Sequence, residues 1–147
     1  STFYEGGQIC HISVADPFCP ELRRLLVEEG RSLSISIHDG GTYVCIEGPR
    51  FSTRAESNLF RMWGADVVGM TVFPECALAR EAEICYGSIA LVTDYDVWAE
   101  SPVSLDEILA VMKANVDKAK KLFGAVIGKI PEKPQCHCWS SLEKALL

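Results

Sequence analysis

The pattern of apolar and polar residues predicts strands and helices that alternate along the chain. Residues 84–92 form an apolar run interrupted mainly by small residues, which is typical of a strand buried on both faces of a sheet. A shorter apolar segment lies at residues 66–69, and a helical pattern separates the two. We therefore expect a βαβ unit with two parallel strands and a right-handed crossover.

Capping and chain-breaking signals predict helices at residues 21–30, 54–64, 74–82 and 105–128. The second helix begins at a capping box of Thr53 and Glu56, and the fourth begins after a capping box of Ser104 and Glu107. In the second helix, the helical period directs one apolar face toward the core. That face comprises Ala55, Leu59, Met62 and Trp63.

Three further segments have the character of short strands, at residues 10–14, 33–37 and 42–46. The turn His38-Asp-Gly-Gly lies between the last two, so we expect them to form a hairpin or an adjacent pair. Strands that alternate with helices along one chain predict the α/β class.

Composition excludes several functional classes. The 147 residues are 48% apolar with a mean hydropathy of +0.13, which suffices for a packed core. The net charge of −6 and a pI near 5.0 argue against a nucleic-acid surface, which needs a basic stripe. No apolar stretch approaches the roughly 20 residues that cross a bilayer. We expect a cytoplasmic protein without nucleic-acid or membrane partners.

The seven cysteines, at positions 10, 19, 45, 76, 85, 136 and 138, are many for a protein of a reducing compartment. Cys136-His137-Cys138 is a Cys-x-Cys rather than the Cys-x2-Cys of structural zinc sites, and no second pair follows, so the spacing does not favour zinc at these three residues. Two alternatives remain: disulfides, as in intracellular proteins of thermophiles, and free buried thiols. We favour disulfides that tie the tail at residues 131–147 to the body.

Candidate chemistry lies after the apolar run, where open α/β sheets bind small ligands. Thr93, Asp94 and Asp96 follow the run directly. In an extended chain the two aspartates lie on one side, and their repulsion favours a proton on one of them, so the pair can act as an acid. The alternative is an Asx-type turn with solvated carboxylates.

Three segments resemble the trimeric purine nucleoside phosphorylases. They are Glu47-Gly-Pro-Arg-Phe-Ser-Thr-Arg-Ala-Glu56, Gly64-Ala-Asp-Val-Val-Gly-Met-Thr71 with Pro74-Glu75, and residues 90–98 around Thr93-Asp94-Tyr95-Asp96. The likeness extends over about residues 3–130 and matches the second half of that family's chain; the tail is similar to archaeal, heat-stable members. It implies a three-layer α/β fold with a mixed, mostly parallel sheet flanked by helices. Residues 1–147 would be the C-terminal part of one such domain.

The resemblance implies a phosphorolysis in which phosphate attacks C1′ of 5-methylthioribose and adenine leaves. Phosphate is a co-substrate, and no metal or organic cofactor is expected. Because negative charge develops on the purine, catalysis would consist of stabilising the leaving base. Asp94 would hydrogen-bond N7 and the 6-amino group or protonate N7, and Asp96 would assist at the amino group.

The resemblance also assigns substrate contacts. Phe51 would pack on the purine, Met70 would lie beneath the ribose, and the Thr71 hydroxyl would reach phosphate or ribose, with Thr93 in the base-binding motif. An aliphatic pocket for the methylthio group would comprise Leu105, Ile108 and Leu109. His11 would lie near this pocket and would come from a neighbouring subunit. Taken singly, these are also ordinary core residues and an ordinary structural histidine.

Two positions distinguish between purines. Relatives that take 6-oxopurines place Glu and Asn where this chain has Ser52 and Asp94. A hydroxyl and a carboxylate complement adenine, which offers an acceptor at N1 and a donor at N6, and a buried polar mismatch costs on the order of 1–3 kcal/mol. The alternatives are a phosphorylase of adenosine, inosine or guanosine, and a non-catalytic purine-binding module.

The resemblance further implies a homotrimer or hexamer. The Gly-rich turn and the Arg-His segment that hold most of the phosphate in that family do not occur in these 147 residues. We therefore expect the chain to need a preceding segment of the same protein for phosphate binding and to be inactive alone.

Overall fold

A computed structural model of the chain describes residues 1–95 and 105–147; of Leu105 it describes the backbone. The elements in chain order are α1 (Pro20–Ser32), β1 (Tyr43–Cys45), α2 (Arg54–Met62), β2 (Val67–Gly69), α3 (Val72–Glu81), α4 (Leu105–Ile127) and a 3-10 helix (His137–Ser140). All four predicted helices are present, and the α/β class is confirmed.

The strands β1 and β2 pair in parallel, and α2 connects them. Tyr43 lies opposite Val67, and Cys45 lies opposite Gly69. The Ile46 N–H donates to the Gly69 carbonyl at 2.9 Å, which extends the pairing by one residue. The predicted βαβ unit therefore exists, but it joins residues 43–45 to 67–69 and not 66–69 to 84–92.

The prediction of a doubly buried strand at residues 84–92 is wrong, because none of these residues has strand structure. Val92 is 60% exposed, and Ile84 and Leu91 are exposed as well. Residues 33–37 are also irregular, so no hairpin forms with β1. At residues 10–14 the predicted strand is reduced to a single antiparallel bridge between Cys10 and Leu146. An apolar run indicates that a segment tends to be buried, but a strand also requires a neighbouring strand with which its backbone can form hydrogen bonds.

The second helix confirms its predicted start but not its predicted core face. Thr53 accepts from the Glu56 N–H, and the Glu56 side chain accepts from the Thr53 N–H, as a capping box requires. Met62 is 78% exposed, and the rest of the predicted face, Ala55, Leu59 and Trp63, is exposed too. The buried residue of this helix is Ser57. The periodicity identified the apolar face correctly, but no described element covers it.

The core lies where α1 packs on α4. Leu26 of α1 and Leu122 and Val126 of α4 are buried together, with partly buried side chains around them. These are Leu25, Ile35, Ile37 and Ile89. Lys129, just beyond α4, donates to Glu29 of α1 at 2.6 Å and so ties the two helices at one end.

The two ends of the chain lie side by side. The His11 N–H donates to the Ala145 carbonyl at 2.7 Å, and the Leu147 N–H donates to the Ile9 carbonyl at 3.1 Å. Among the described residues, no helix combines the length and hydropathy that a membrane crossing requires.

Candidate functional site

The loop after β1 and the residues after β2 meet at the carboxyl ends of the parallel pair. Gly48 has φ of 69° and lies so close to Met70 that an added Cβ would be 2.6 Å from the Met70 Sδ. Glycine is therefore required at position 48 both by the left-handed backbone and by the close approach. This contact places the loop that carries Phe51 beside Met70. Both Phe51 and Met70 were predicted to bind the nucleoside.

The same loop is held by a bidentate ion pair. Both terminal nitrogens of Arg50 lie 2.7 Å from an oxygen of the Glu56 carboxylate. Glu56 also accepts from the Thr53 N–H at 2.7 Å. The hydrogen bonds from Arg50 and then from Thr53 lower the pKa of Glu56 to about 2, so this carboxylate stays charged at neutral pH. The sequence indicated the capping box but not the part that Arg50 takes in it.

Phe51 and Ser52 face in opposite directions on this loop. Phe51 is 81% exposed, which leaves its ring free to stack on a flat ligand. Ser52 is buried, and its hydroxyl oxygen lies 2.9 Å from that of Ser57 on α2. Sequence reasoning assigned Ser52 to the purine and missed Ser57. The contact of Ser52 with the purine stays a prediction.

The exit of β2 positions the second group of predicted residues. Met70 is half-buried, and Thr71 is exposed as the residue that precedes α3. The Phe73 N–H donates to the Cys45 Sγ at 3.3 Å, which fixes the start of α3 against the end of β1. Thr71 therefore presents its hydroxyl to solvent from a backbone that is anchored on both sides.

Asp94 lies at the far end of the 84–92 segment. Its side chain is exposed, and its Oδ1 accepts from the Thr93 hydroxyl at 2.6 Å. The Val92 carbonyl accepts from the Asn115 side-chain amide at 2.8 Å, which ties this segment to α4. Asp96 lies outside the described residues, so the pairing of the two aspartates stays a prediction.

The predicted methylthio pocket lies partly within the described side chains. Ile108 is half-buried and Leu109 is exposed, near the start of α4; the Leu105 side chain is not described. At a rise of 1.5 Å per residue, Ile108 is about 10 Å along the helix from Asn115, the residue that contacts Val92. His11 is exposed and lies beside the C-terminal residues. The contact of His11 with a substrate stays a prediction.

A large groove lies apart from these residues. It has a volume of about 900 Å³ and runs between α1, residues 35–41, the 84–92 segment and α4. None of the described residues predicted to bind substrate lines it. Its walls include Phe18, Ile37, Asp39, Asp66 and Leu91. The groove therefore gives no support to a nucleoside site at the predicted residues. The prediction of that site is supported by the loop contacts described above.

The cysteines form a cluster that the sequence did not predict. All seven are free, so the expected disulfides are absent from this structure. Four sulfur atoms lie within 4.8 Å of one another, and they belong to Cys19, Cys85, Cys136 and Cys138. His137 is exposed and stands outside the cluster. Burial, followed by the Cys136 and Cys19 side chains, raises the pKa of the Cys138 thiol to about 11.

Comparison with proteins of known sequence identifies many relatives. The chain is 56% identical over 146 residues to the S-methyl-5′-thioadenosine phosphorylase of Thermofilum pendens. It is 58% identical over 137 residues to the protein of the same name from Pyrococcus furiosus. These matches cover 99% and 93% of this chain but 56% and 53% of the relatives, so the chain spans about half their length.

Comparison with solved structures gives the same picture. A methylthioadenosine phosphorylase from an antarctic soil metagenomic library superimposes with a TM-score of 0.92 at 42% identity, over 100% of this chain and 53% of that protein. The Schistosoma mansoni methylthioadenosine phosphorylase in complex with tubercidin superimposes with a TM-score of 0.82 at 32% identity, over 97% and 57%. The family description that matches residues 1–128 is the phosphorylase superfamily. This chain is a member of the phosphorylase superfamily.

Proposed function

We propose that this chain forms the base-binding and ribose-binding part of a 5′-methylthioadenosine phosphorylase. The observation that carries the proposal is the identity of 56% and 58%, over nearly the whole chain, to relatives that bear this name. The reaction would convert 5′-methylthioadenosine and phosphate into adenine and 5-methylthioribose 1-phosphate, as in purine and methionine salvage in the cytoplasm.

The chemistry assigns a role to Asp94. A phosphate oxygen attacks C1′, the C1′–N9 bond breaks, and its electron pair moves into the purine. A carboxyl group that hydrogen-bonds or protonates N7 stabilises that charge in the transition state. Asp94 is exposed, and Thr93 donates a hydrogen bond to one of its oxygens, which leaves the other available to a ligand. Asp96 would assist at the 6-amino group.

The loop after β1 and the exit of β2 would hold the rest of the nucleoside. The exposed ring of Phe51 suits stacking on the purine. Met70 would lie beneath the ribose, and the exposed Thr71 hydroxyl would reach phosphate or ribose. Leu105, Ile108 and Leu109 would surround the methylthio group, with His11 from a neighbouring subunit. No metal or organic cofactor has a part in this scheme.

Adenine is favoured over 6-oxopurines by two positions. Ser52 and Asp94 offer a hydroxyl to N1 and a carboxylate to the 6-amino group, and each mismatch would cost on the order of 1–3 kcal/mol. A phosphorylase of adenosine, inosine or guanosine is the alternative within the family. The names of the relatives favour the methylthio substrate.

The partners of this chain are also proposals. The chain spans about half the length of these relatives, which supports the proposal that further chain completes the phosphate site. Assembly as a homotrimer or hexamer would complete the substrate site with His11 and would cover apolar side chains such as Met62 and Trp63, which are 78% and 68% exposed here.

A chimera tests the proposed function directly. In it, this chain replaces the matching segment of the Pyrococcus furiosus relative. Release of the purine base, adenine from the first two substrates and hypoxanthine from the third, is measured with 5′-methylthioadenosine, adenosine and inosine, each with and without phosphate. We expect phosphate-dependent cleavage that is fastest with 5′-methylthioadenosine. Faster cleavage of inosine would favour the alternative enzyme, and a folded chimera that binds adenine but cleaves none of the three would favour a binding module.

A further inference from the structure

The leading segment of the chain, residues 1–12, has little secondary structure of its own and is held by the tail. An antiparallel bridge joins Cys10 to Leu146. Next to this bridge, the His11 N–H donates to the Ala145 carbonyl at 2.7 Å. The backbone of His11 is therefore fixed by the tail, while its side chain is exposed.

The tail is in turn anchored at the end of α3. The Ser141 hydroxyl donates to the Arg80 carbonyl at 2.7 Å, and the Leu142 N–H donates to the Glu83 side chain at 3.1 Å. Ala145 is buried, and its N–H donates to the Leu142 carbonyl at 3.0 Å. Contacts therefore continue from α3 through this part of the tail to the leading segment.

Helix α3 also holds the start of the leading segment. Glu81 is 6% exposed, and its two carboxylate oxygens accept from the Thr2 hydroxyl at 2.8 Å and from the Phe3 N–H at 2.7 Å. A buried carboxyl group needs such partners, because its removal from water is otherwise costly. The leading segment is thus fixed near both of its ends, although it contains no helix and only one bridge. This arrangement presents the exposed side chain of His11 from a backbone that is already ordered.

We propose that residues 141–147 are a positioning element, which holds His11 where it reaches the methylthio end of a nucleoside bound by a neighbouring subunit. The inference rests on the proposed function, which assigns that contact to His11. The element acts through His11 and not through substrate contacts of its own. Ordering an irregular segment at the moment of binding costs conformational entropy, and a segment that is ordered beforehand avoids this cost. The element therefore acts on substrate affinity rather than on the bond-breaking step.

The test uses the chimera described above, with residues 145–147 removed. We expect this deletion to raise KM for 5′-methylthioadenosine by about 10-fold and to change kcat by less than about 2-fold, because the contact is remote from the breaking bond. His11→Ala should raise KM to the same extent, and the deletion should add less than about 2-fold in the His11→Ala background. The affinity for adenine, which has no methylthio group, should stay within about 2-fold, whereas a general loss of structure would lower it as well.

A pair of variants at one position separates the backbone from the side chain. The Leu147 N–H donates to the Ile9 carbonyl at 3.1 Å, and the Leu147 side chain is 81% exposed. Leu147→Pro removes this donor and should raise KM by about 2–10-fold, the usual effect of one lost hydrogen bond. Leu147→Ala keeps the donor and should leave KM unchanged. Should the deletion variant fail to fold, Leu147→Pro gives the same decision.

Hydrogen exchange shows whether the tail holds His11 without any measurement of activity. The His11 amide should exchange at least about 10-fold faster in the deletion variant than in the unaltered chimera, since exchange reports local opening of the backbone. Equal exchange rates in the two proteins would overturn the proposal, whether or not the chimera is active.

Two kinetic results would overturn the proposal as well. One is a deletion variant with an unaltered KM, when His11→Ala raises it. The other is a deletion that raises KM equally with and without the His11 side chain, which would show that the tail does not act through His11. An unaltered chimera that cleaves none of the three nucleosides contradicts the proposed function instead, and exchange of the His11 amide then decides by itself whether the tail holds His11.

Discussion

The guanidinium of Arg50 meets the carboxylate of Glu56 through two parallel hydrogen bonds, each 2.7 Å long. Glu56 also accepts from the Thr53 N–H, so one carboxylate both caps α2 and holds the preceding loop. Bidentate arginine pairs fix orientation as well as charge. The orientation of Phe51, which lies between these residues in the chain, depends on this arrangement.

Replacing Glu56 should change how stability depends on pH. The folded state lowers the pKa of Glu56 from 4.5 to about 2, so its stabilising effect is present above about pH 4.5 and is lost as the pH falls toward 2. Glu56→Gln should therefore flatten the fall of Tm between pH 5 and pH 2. Thermal denaturation at a series of pH values measures this. Glu28→Gln, which alters an exposed i,i+4 pair with Arg24, serves as the control. If the slope of Tm against pH is unchanged in Glu56→Gln, then Glu56 does not stabilise the folded chain in the way described.

Gly48→Ala should destabilise the chain through two separate effects. A left-handed backbone costs a non-glycine residue roughly 1–2 kcal/mol, and the new Cβ would displace the Met70 side chain at a further cost of about 1 kcal/mol. Gly64→Ala is the matched control, since Gly64 has φ of 79° and nothing within 4 Å of an added Cβ. Denaturant unfolding of both variants separates the two effects.

The contact with Met70 can be isolated further. Met70→Ala in the Gly48→Ala background removes the atoms that the new Cβ would meet. The double variant should show less than the sum of the two single losses. Strict additivity would mean that the Gly48 loop does not pack on Met70 as described.

The bond between Ser52 and Ser57 should be measurable as a coupling energy. The two hydroxyl oxygens lie 2.9 Å apart, and both residues are buried. Each change to alanine leaves the other hydroxyl without this partner and should cost about 1–3 kcal/mol. In a double-mutant cycle, the variant with both serines changed should lose at least about 0.5 kcal/mol less unfolding free energy than the sum of the two single losses. Additive losses would show that the hydroxyls do not interact.

Asp94 should control both rate and substrate choice in the chimera. Asp94→Ala should lower kcat for 5′-methylthioadenosine by about 10²–10⁴-fold, the usual contribution of a positioned acid. Asp94→Asn should lower kcat less with inosine than with the methylthio substrate, because the asparagine amide can donate a hydrogen bond to a 6-oxo group. Asp117→Asn, on the exposed surface of α4, is the control. An unchanged turnover of Asp94→Ala would show that Asp94 does not act as the acid.

The sequence was most informative where a structure depends on neighbouring residues. Thr53 and Glu56 are three positions apart, so their capping box and the start of α2 could be predicted. The apolar run at residues 84–92 could not be assigned correctly, because a strand depends on a partner edge that the run itself does not encode. For the same reason periodicity found the apolar face of α2 but not whether another element covers it.

The candidate site shows the same division. The resemblance selected Phe51, Met70 and Asp94, but the contacts of Gly48 with Met70 and of Ser52 with Ser57 depend on how distant segments pack. The cysteine cluster is the clearest case. Cys19 and Cys136 are separated by 117 residues, so a Cys-x-Cys in the tail could not indicate its partners.

The proposed function depends above all on one contact, that of Asp94 with the departing adenine. The most direct test is a crystal structure of the chimera with adenine bound. We expect a carboxylate oxygen of Asp94 to lie about 2.7–3.2 Å from N7 or from the 6-amino nitrogen. Carboxylate oxygens of Asp94 that face solvent, with no purine nitrogen within hydrogen-bond distance, would contradict it.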